Sequence, residues 1–130
     1  MPPARHLGTV ALVVPDYDAA IAFYVGKAGF ALIEDTPLSP HKRWVLIAPS
    51  PDCQTRILLA RADGAGQTAA IGNQTGGRVG FFLHTDDFAR DHAEMTAAGV
   101  EFEEAPRRES YGSVAVWRDP WGNRWDLIGP

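Results

Sequence analysis

The sequence predicts an α+β fold built from two β-α-β-β-β modules, and three observations carry that expectation. The run from Val10 to Asp16, followed by a stretch closing on Ala28-Gly29-Phe30, returns as Gly80 to Asp87 followed by a stretch closing on Ala98-Gly99-Val100. Both copies keep one order (strand, Asp, amphipathic run, Gly, strand) at a spacing of about seventy residues. Between them, residues 62–78 hold five glycines, the composition of a flexible connector. Few side chains are identical in the two copies, so the repeat lies in topology and punctuation.

Residues 9–14 are β-rich and apolar and stop at Pro15, leaving Asp16 to cap the helix that follows. Ile21, Tyr24, Val25 and Ala28 fall at i, i+3, i+4 and i+7, the buried stripe of that helix, and Gly29 supplies the left-handed backbone that ends it. Strands at 30–34, 43–48 and 56–61 complete a first module over about residues 7–61. The second module, about residues 79–128, runs through a strand at 79–84, a cap at Asp86 or Asp87, a helix at 88–98 and a stop at Gly99. Strands near 100–104, 113–118 and 124–128 close it.

Period-two alternation sorts the strand residues into faces. Val10, Leu12 and Val14, with Ile57 and Leu59, Val79, Phe81 and Leu83, and Trp125 and Leu127, form apolar faces that pack under helices. The opposite faces are mixed: Thr9, Ala11 and Val13; Arg56, Leu58 and Ala60; Gly80, Phe82 and His84; Arg124, Asp126 and Ile128. A few polar groups among apolar ones, repeated in two modules, is the makeup of a small-molecule site. The plainer alternative is a solvated face with Arg56, Arg124 and Asp126 as surface charges.

At 130 residues, with 45% hydrophobic and 22% charged residues, the chain is expected to form one soluble globular domain. A net charge of −4 offers nucleic acid no general attraction, and no phosphate-binding or dinucleotide motif is present. The lone Cys53 cannot form an internal disulfide and has no neighbour in sequence that would activate it. No stretch approaches the roughly 18 apolar residues of a membrane span. Met1 to His6 lacks the apolar run of a signal peptide, so a cytoplasmic location with no membrane partner is expected.

The punctuation is that of a known group. Val-Pro-Asp-Tyr-Asp-Ala-Ala-Ile-Ala-Phe-Tyr at 14–24, Thr-Asp-Asp-Phe at 85–88, Ala-Gly-Val at 98–100 and Arg-Asp-Pro-Trp-Gly-Asn-Arg-Trp-Asp-Leu-Ile at 118–128 resemble the vicinal oxygen chelate superfamily. That superfamily includes glyoxalase I, extradiol dioxygenases, thiol transferases of fosfomycin resistance and bleomycin-binding proteins. The resemblance covers roughly residues 8–128 and implies a curled, eight-stranded mixed sheet with a cleft. In enzymatic members it also implies an open metal site whose ligands stand on the first and last strands of each module. Those positions fall here on Thr9, Leu58, Gly80 and Asp126, of which only Asp126 has a side chain able to bind a metal tightly. His6 faces the other way by parity, and His84 lies about 13 Å along the strand from Gly80. No metal or other cofactor is therefore expected.

The remaining candidates are read individually. Asp126 and Arg124 share a face, as a ligand-recognition pair or as a strand salt bridge. His84 is a general base or a polar wall. Trp44, Tyr111 and Trp117, in or beside the third strands, stack a ligand or fill core, and Trp125 is core by parity. Residues 107–112 form a lid or a solvated loop. The candidate ligand-binding set is Thr9, Trp44, Arg56, Leu58, Phe82, His84, Tyr111, Trp117, Arg124 and Asp126. The expected function is metal-independent binding, and sequestration, of a small toxic organic compound. The alternative is a glyoxalase-like lyase or isomerase, dependent on metal or using Asp126 or His84 as acid-base group. The resemblance also implies a homodimer, because such chains complete their clefts by pairing chains or modules.

Overall fold

Residues 1–130 are all described by the structure, a computed structural model. Asp16 and Asp87 start the two principal helices as true caps: Asp16 accepts the Ala19 N–H at 2.8 Å and Asp87 accepts the Arg90 N–H at 3.0 Å. The helices are α1 (Tyr17–Tyr24) and α3 (Phe88–Ala98), separated by a short α2 (Gly64–Ala70). The strands are β1 (Thr9–Val14), β2 (Ala31–Ser39), β3 (Lys42–Ala48), β4 (Arg56–Arg61), β5 (Phe81–His84), β6 (Glu101–Phe102), β7 (Arg107–Glu109), β8 (Gly112–Arg118) and β9 (Arg124–Gly129).

They form two mixed sheets, β1-β4-β3-β2 and β5-β9-β8-β6, with β7 also paired to β8. In each the first strand runs parallel to the last, β1 with β4 and β5 with β9. The α+β class and the doubled β-α-β-β-β order are those the sequence predicts. Nine strands stand where eight were expected because Pro106, which cannot donate to a ladder, divides the segment after α3 into β6 and β7. The curl does not close, and the two sheets remain separate.

Gly99, at φ 97°, ends α3 with the Gly99 N–H on Thr96 O at 3.0 Å and the Val100 N–H on Met95 O at 2.9 Å. At the end of α1, helical bonding persists to the Ala28 N–H on Phe23 O before Gly29 reverses the chain at φ 83°. The buried face of α1 is Tyr17, Ala20, Phe23 and Tyr24, with Ile21 and Val25 only flanking it. Tyr24 and Ala28 of the expected stripe are buried, but the buried face is rotated from Ile21 and Val25 toward Tyr17, Ala20 and Phe23, because burying the large rings of Phe23 and Tyr24 removes more apolar area from water.

Nineteen buried residues from both modules make one continuous core. Its centre ties the modules together. The Tyr24 hydroxyl donates to Asp119 Oδ2 at 2.6 Å and accepts from Trp125 Nε1 at 3.1 Å. The other Asp119 oxygen accepts the N–H groups of Trp121, Gly122 and Asn123 at 3.0, 3.0 and 2.9 Å. The Asp-Pro-Trp-Gly-Asn turn is thus folded around one buried carboxylate, which α1 reaches from the other module.

The glycine-rich 62–78 segment is not a free connector. It contains α2, and Gln74 bridges the open edge of β1, donating to Ala11 O at 2.8 Å and accepting the Val13 N–H at 2.9 Å. Gly72, at φ 70°, lies so close to the turn that an added Cβ would stand 1.7 Å from the Trp121 carbonyl oxygen. Glycine there permits close approach, not flexibility.

Candidate functional site

The faces turned away from the core carry the candidate residues. On the first sheet the register sets Thr9 beside Arg56, Ala11 beside Leu58 and Val13 beside Ala60, with Leu46 across from Leu58. β3 and β4 pair only at Leu46 with Leu58 and Ile47 with Ile57. Beyond that point they part, and a cavity of about 610 Å³ opens, lined among others by Tyr17, Trp44, Leu58, Ala60 and Arg61. Trp44 is 37% exposed on its wall, an unusual setting for the largest side chain. Arg56 also lies on this face, and its Nε is buried without a partner.

On the second sheet Phe82 and Val116 flank Asp126 from the two neighbouring strands. Phe82 is 53% exposed. Asp126 Oδ1 is buried and accepts no hydrogen bond. Burial pushes the Asp126 carboxyl above the usual carboxylate range; Arg107 pulls it down, Glu104 pushes it up and Arg124 pulls it down again. The expected pairing of Arg124 with Asp126 does not form. Glu103 takes Arg124 with two bonds, at 2.9 and 3.0 Å, and Gly77 O takes its third nitrogen at 3.1 Å. A two-pronged carboxylate fit outcompetes a single same-strand neighbour. Those bonds hold the Glu103 carboxyl below its ordinary range.

Arg107 and Glu104, whose charges act on Asp126 after burial, and Glu103, which holds Arg124, were not in the candidate set. Arg107 is engaged by Glu104 at 2.7 Å and Glu109 at 3.0 Å. Residues 107–109 pair with β8 as strand β7 rather than forming a loop, and the exposed tip is Ser110 and Tyr111.

Other candidates fall elsewhere. Trp117 is completely buried, stacked on Trp125 with ring centres 4.9 Å apart, and belongs to the core. Both faces of β8 are apolar, Val114 and Val116 on one and Ala115 and Trp117 on the other, so alternation could not orient this strand. His84 does not meet Asp126: it lines a separate cavity of about 360 Å³ between the modules, with Lys27, Pro49, Asp86 and Glu94. Tyr111 is 63% exposed at the β7–β8 turn and borders neither cavity. Thr9, Trp44, Arg56 and Leu58 are thus gathered on one sheet, and Phe82, Arg124 and Asp126 on the other.

The four positions that would hold a divalent ion do not fit one. Leu58 has no donor atom and Thr9 has only a hydroxyl. At Gly80 an added Cβ would stand 2.4 Å from Thr75 Cγ2, so the strap between the modules fills the space a ligating side chain would enter. Nowhere in the chain do three His, Cys, Asp or Glu side chains converge. Asp126 alone cannot meet the coordination such a cation demands.

Residues 6–127 match the family model of the Glyoxalase/Bleomycin resistance protein/Dioxygenase superfamily. An uncharacterised protein of Shewanella frigidimarina is 51% identical over 92% of this chain and 89% of its own length. Among solved structures, UcmS2 superposes with a TM-score of 0.83 at 26% identity, covering 97% of this chain and 98% of that one. TnmS3, an antibiotic binding protein from Streptomyces sp. CB03234, superposes with a TM-score of 0.78 at 29% identity, covering 100% and 99%.

Proposed function

The chain belongs to the glyoxalase/bleomycin resistance protein/dioxygenase superfamily, and we propose that within it this protein binds a small organic molecule without a metal ion. One observation carries the reading: the faces that point away from the core keep exposed aromatic surface at Trp44 and Phe82, with Leu58 half-buried in the cavity lined by Trp44, while of the metal positions only one is a carboxylate. Shape, stacking and a few hydrogen bonds suffice for binding, and sequestration of a toxic compound needs nothing more. The similarity to an antibiotic binding protein supports the same reading. A cytoplasmic homodimer is part of the proposal, since each chain offers two open half-sites, one per sheet, that a second copy would cover.

A second reading has its own support. A carboxyl group raised by burial, with one oxygen free of partners, is the condition in which Asp126 would transfer protons, as a metal-free lyase or isomerase requires. His84, in another cavity, would not be its partner.

A melting screen of chelator-treated protein against divalent cations and a diverse panel of amphiphilic and antibiotic compounds tests the proposal. Binding at one hundred times Kd stabilises by about 2.7 kcal/mol, a shift of several degrees. Shifts with organic compounds alone are expected. Shifts with cations alone, or with nothing, would overturn the reading.

A further inference from the structure

We infer that the cavity between β3 and β4 selects planar organic anions, that is, an aromatic frame bearing a carboxylate, phenolate or sulfonate. The inference rests on the proposed ligand-binding role of this face and specifies its substrate class.

The chain carries a net charge of −4, yet Lys42, Arg43 and Arg61 all line this one cavity, and Asp63 is the only carboxylate that does. Four of the remaining arginines, 90, 107, 118 and 124, are neutralised by carboxylates of their own. So is Arg43, held by Asp18 at 2.8 Å and Asp35 at 2.7 Å, which lie outside the lining. Lys42 and Arg61 are not: no carboxylate of the chain comes within ion-pair distance of either. His41 adds a further donor on the same rim. Asp63 makes no ion pair with either, so the lining holds two unpaired cations against one carboxylate.

Under this rim the walls are apolar. Leu58, Leu59 and Ala60 come from β4, and Trp44 faces them from β3 across the gap left by the parted strands. An indole with one side open to a cavity of about 610 Å³ is suited to a flat ring, and the volume falls within the range typical of small-molecule sites. Both unpaired cations belong to the lining of that same cavity. An anion there gains two charge-assisted contacts, whereas a cation meets repulsion and little compensation.

The test compares three isosteric probes by calorimetry: 2-naphthoate, 2-naphthylmethanol and 2-naphthylmethylammonium. We expect 2-naphthoate to bind roughly tenfold more tightly than the alcohol, two screened surface contacts combined, and the ammonium most weakly. Raising the salt concentration lowers the anion's affinity alone. The exposed pair of substitutions K42Q/R61Q, checked by melting to be folded, removes the preference of the anion over the alcohol. W44L weakens all three. Equal affinity of the three probes overturns the charge selection but leaves a ligand-binding face standing. A preference that survives K42Q/R61Q places the anion elsewhere and overturns the inference as well. Failure of every probe and of the wider panel removes both this inference and the binding role.

Discussion

Replacing Tyr24 by Phe removes one oxygen atom from the centre of the molecule and breaks two buried bonds. The first is the hydroxyl's donation to Asp119 Oδ2 at 2.6 Å, a bond to a carboxylate worth about 1.5–3 kcal/mol. The second is the acceptance from Trp125 Nε1 at 3.1 Å, whose loss leaves a buried N–H unsatisfied at about 1–3 kcal/mol. Burial, with the charge and hydrogen bond of Asp119 behind it, holds the Tyr24 phenol well above its ordinary pKa, so it is a firm donor at every working pH. Asp119 keeps its three backbone donors and the Asn123 amide, which moderates the loss. The net expectation is about 2–4 kcal/mol, a fall in melting temperature of roughly 8–15 °C for a chain of this size. Because the nineteen-residue core still spans both modules, Y24F should melt in a single transition. Thermal and urea unfolding followed by circular dichroism measure both effects. A loss below about 0.5 kcal/mol would refute the view that this network ties the modules together, and two separate transitions would show that the shared core alone does not make them one cooperative unit.

Further expectations follow from the same physics. Asp126 has its pKa raised by the fold, so its stability contribution is full below about pH 4 and lost as pH rises through its folded value. D126N should therefore melt a few degrees higher than the parent at pH 7, with the gap closing in acid; an unchanged gap across that range would refute this. Glu103 is shifted the other way by Arg124, so E103Q should cost stability at pH 7 and little below its folded pKa, read from melting curves against pH. Two glycines of the connecting strap should respond with opposite signs. G72A forces a Cβ into the Trp121 carbonyl at positive φ and should cost about 2 kcal/mol or more, whereas G66A, in open helix, should gain roughly 0.5–1 kcal/mol. Light scattering at micromolar concentration should report a dimer, and a monomer would remove the half-site argument.

Local rules made much of the fold legible. β1, β4 and α3 stand at their expected bounds because strong alternation, Pro15, Asp87 and Gly99 punctuate them without ambiguity. β2 extends to Ser39, well past its expected end, because Pro37 reads as a loop residue in sequence but is tolerated on an edge strand, next to a register shift. The strap read as flexible since glycine signals looseness and close approach alike, and only Gln74 meeting β1 separates the two. Within the site, alternation identified Leu58, Phe82 and Asp126. It could not reveal that Glu103, 21 residues from Arg124, would take that arginine away from Asp126, because the partner arrives through strand pairing. The parting of β3 from β4, which makes the cavity beside Trp44, is likewise a property of twist and packing that no residue announces.

The central claim is binding of an organic molecule without a metal ion, and calorimetry of one confirmed ligand in the presence and absence of a strong chelator tests it most directly. One affinity is expected in both conditions, unchanged when divalent cations are added back. An affinity that vanishes with the chelator and returns with a stoichiometric cation would contradict it.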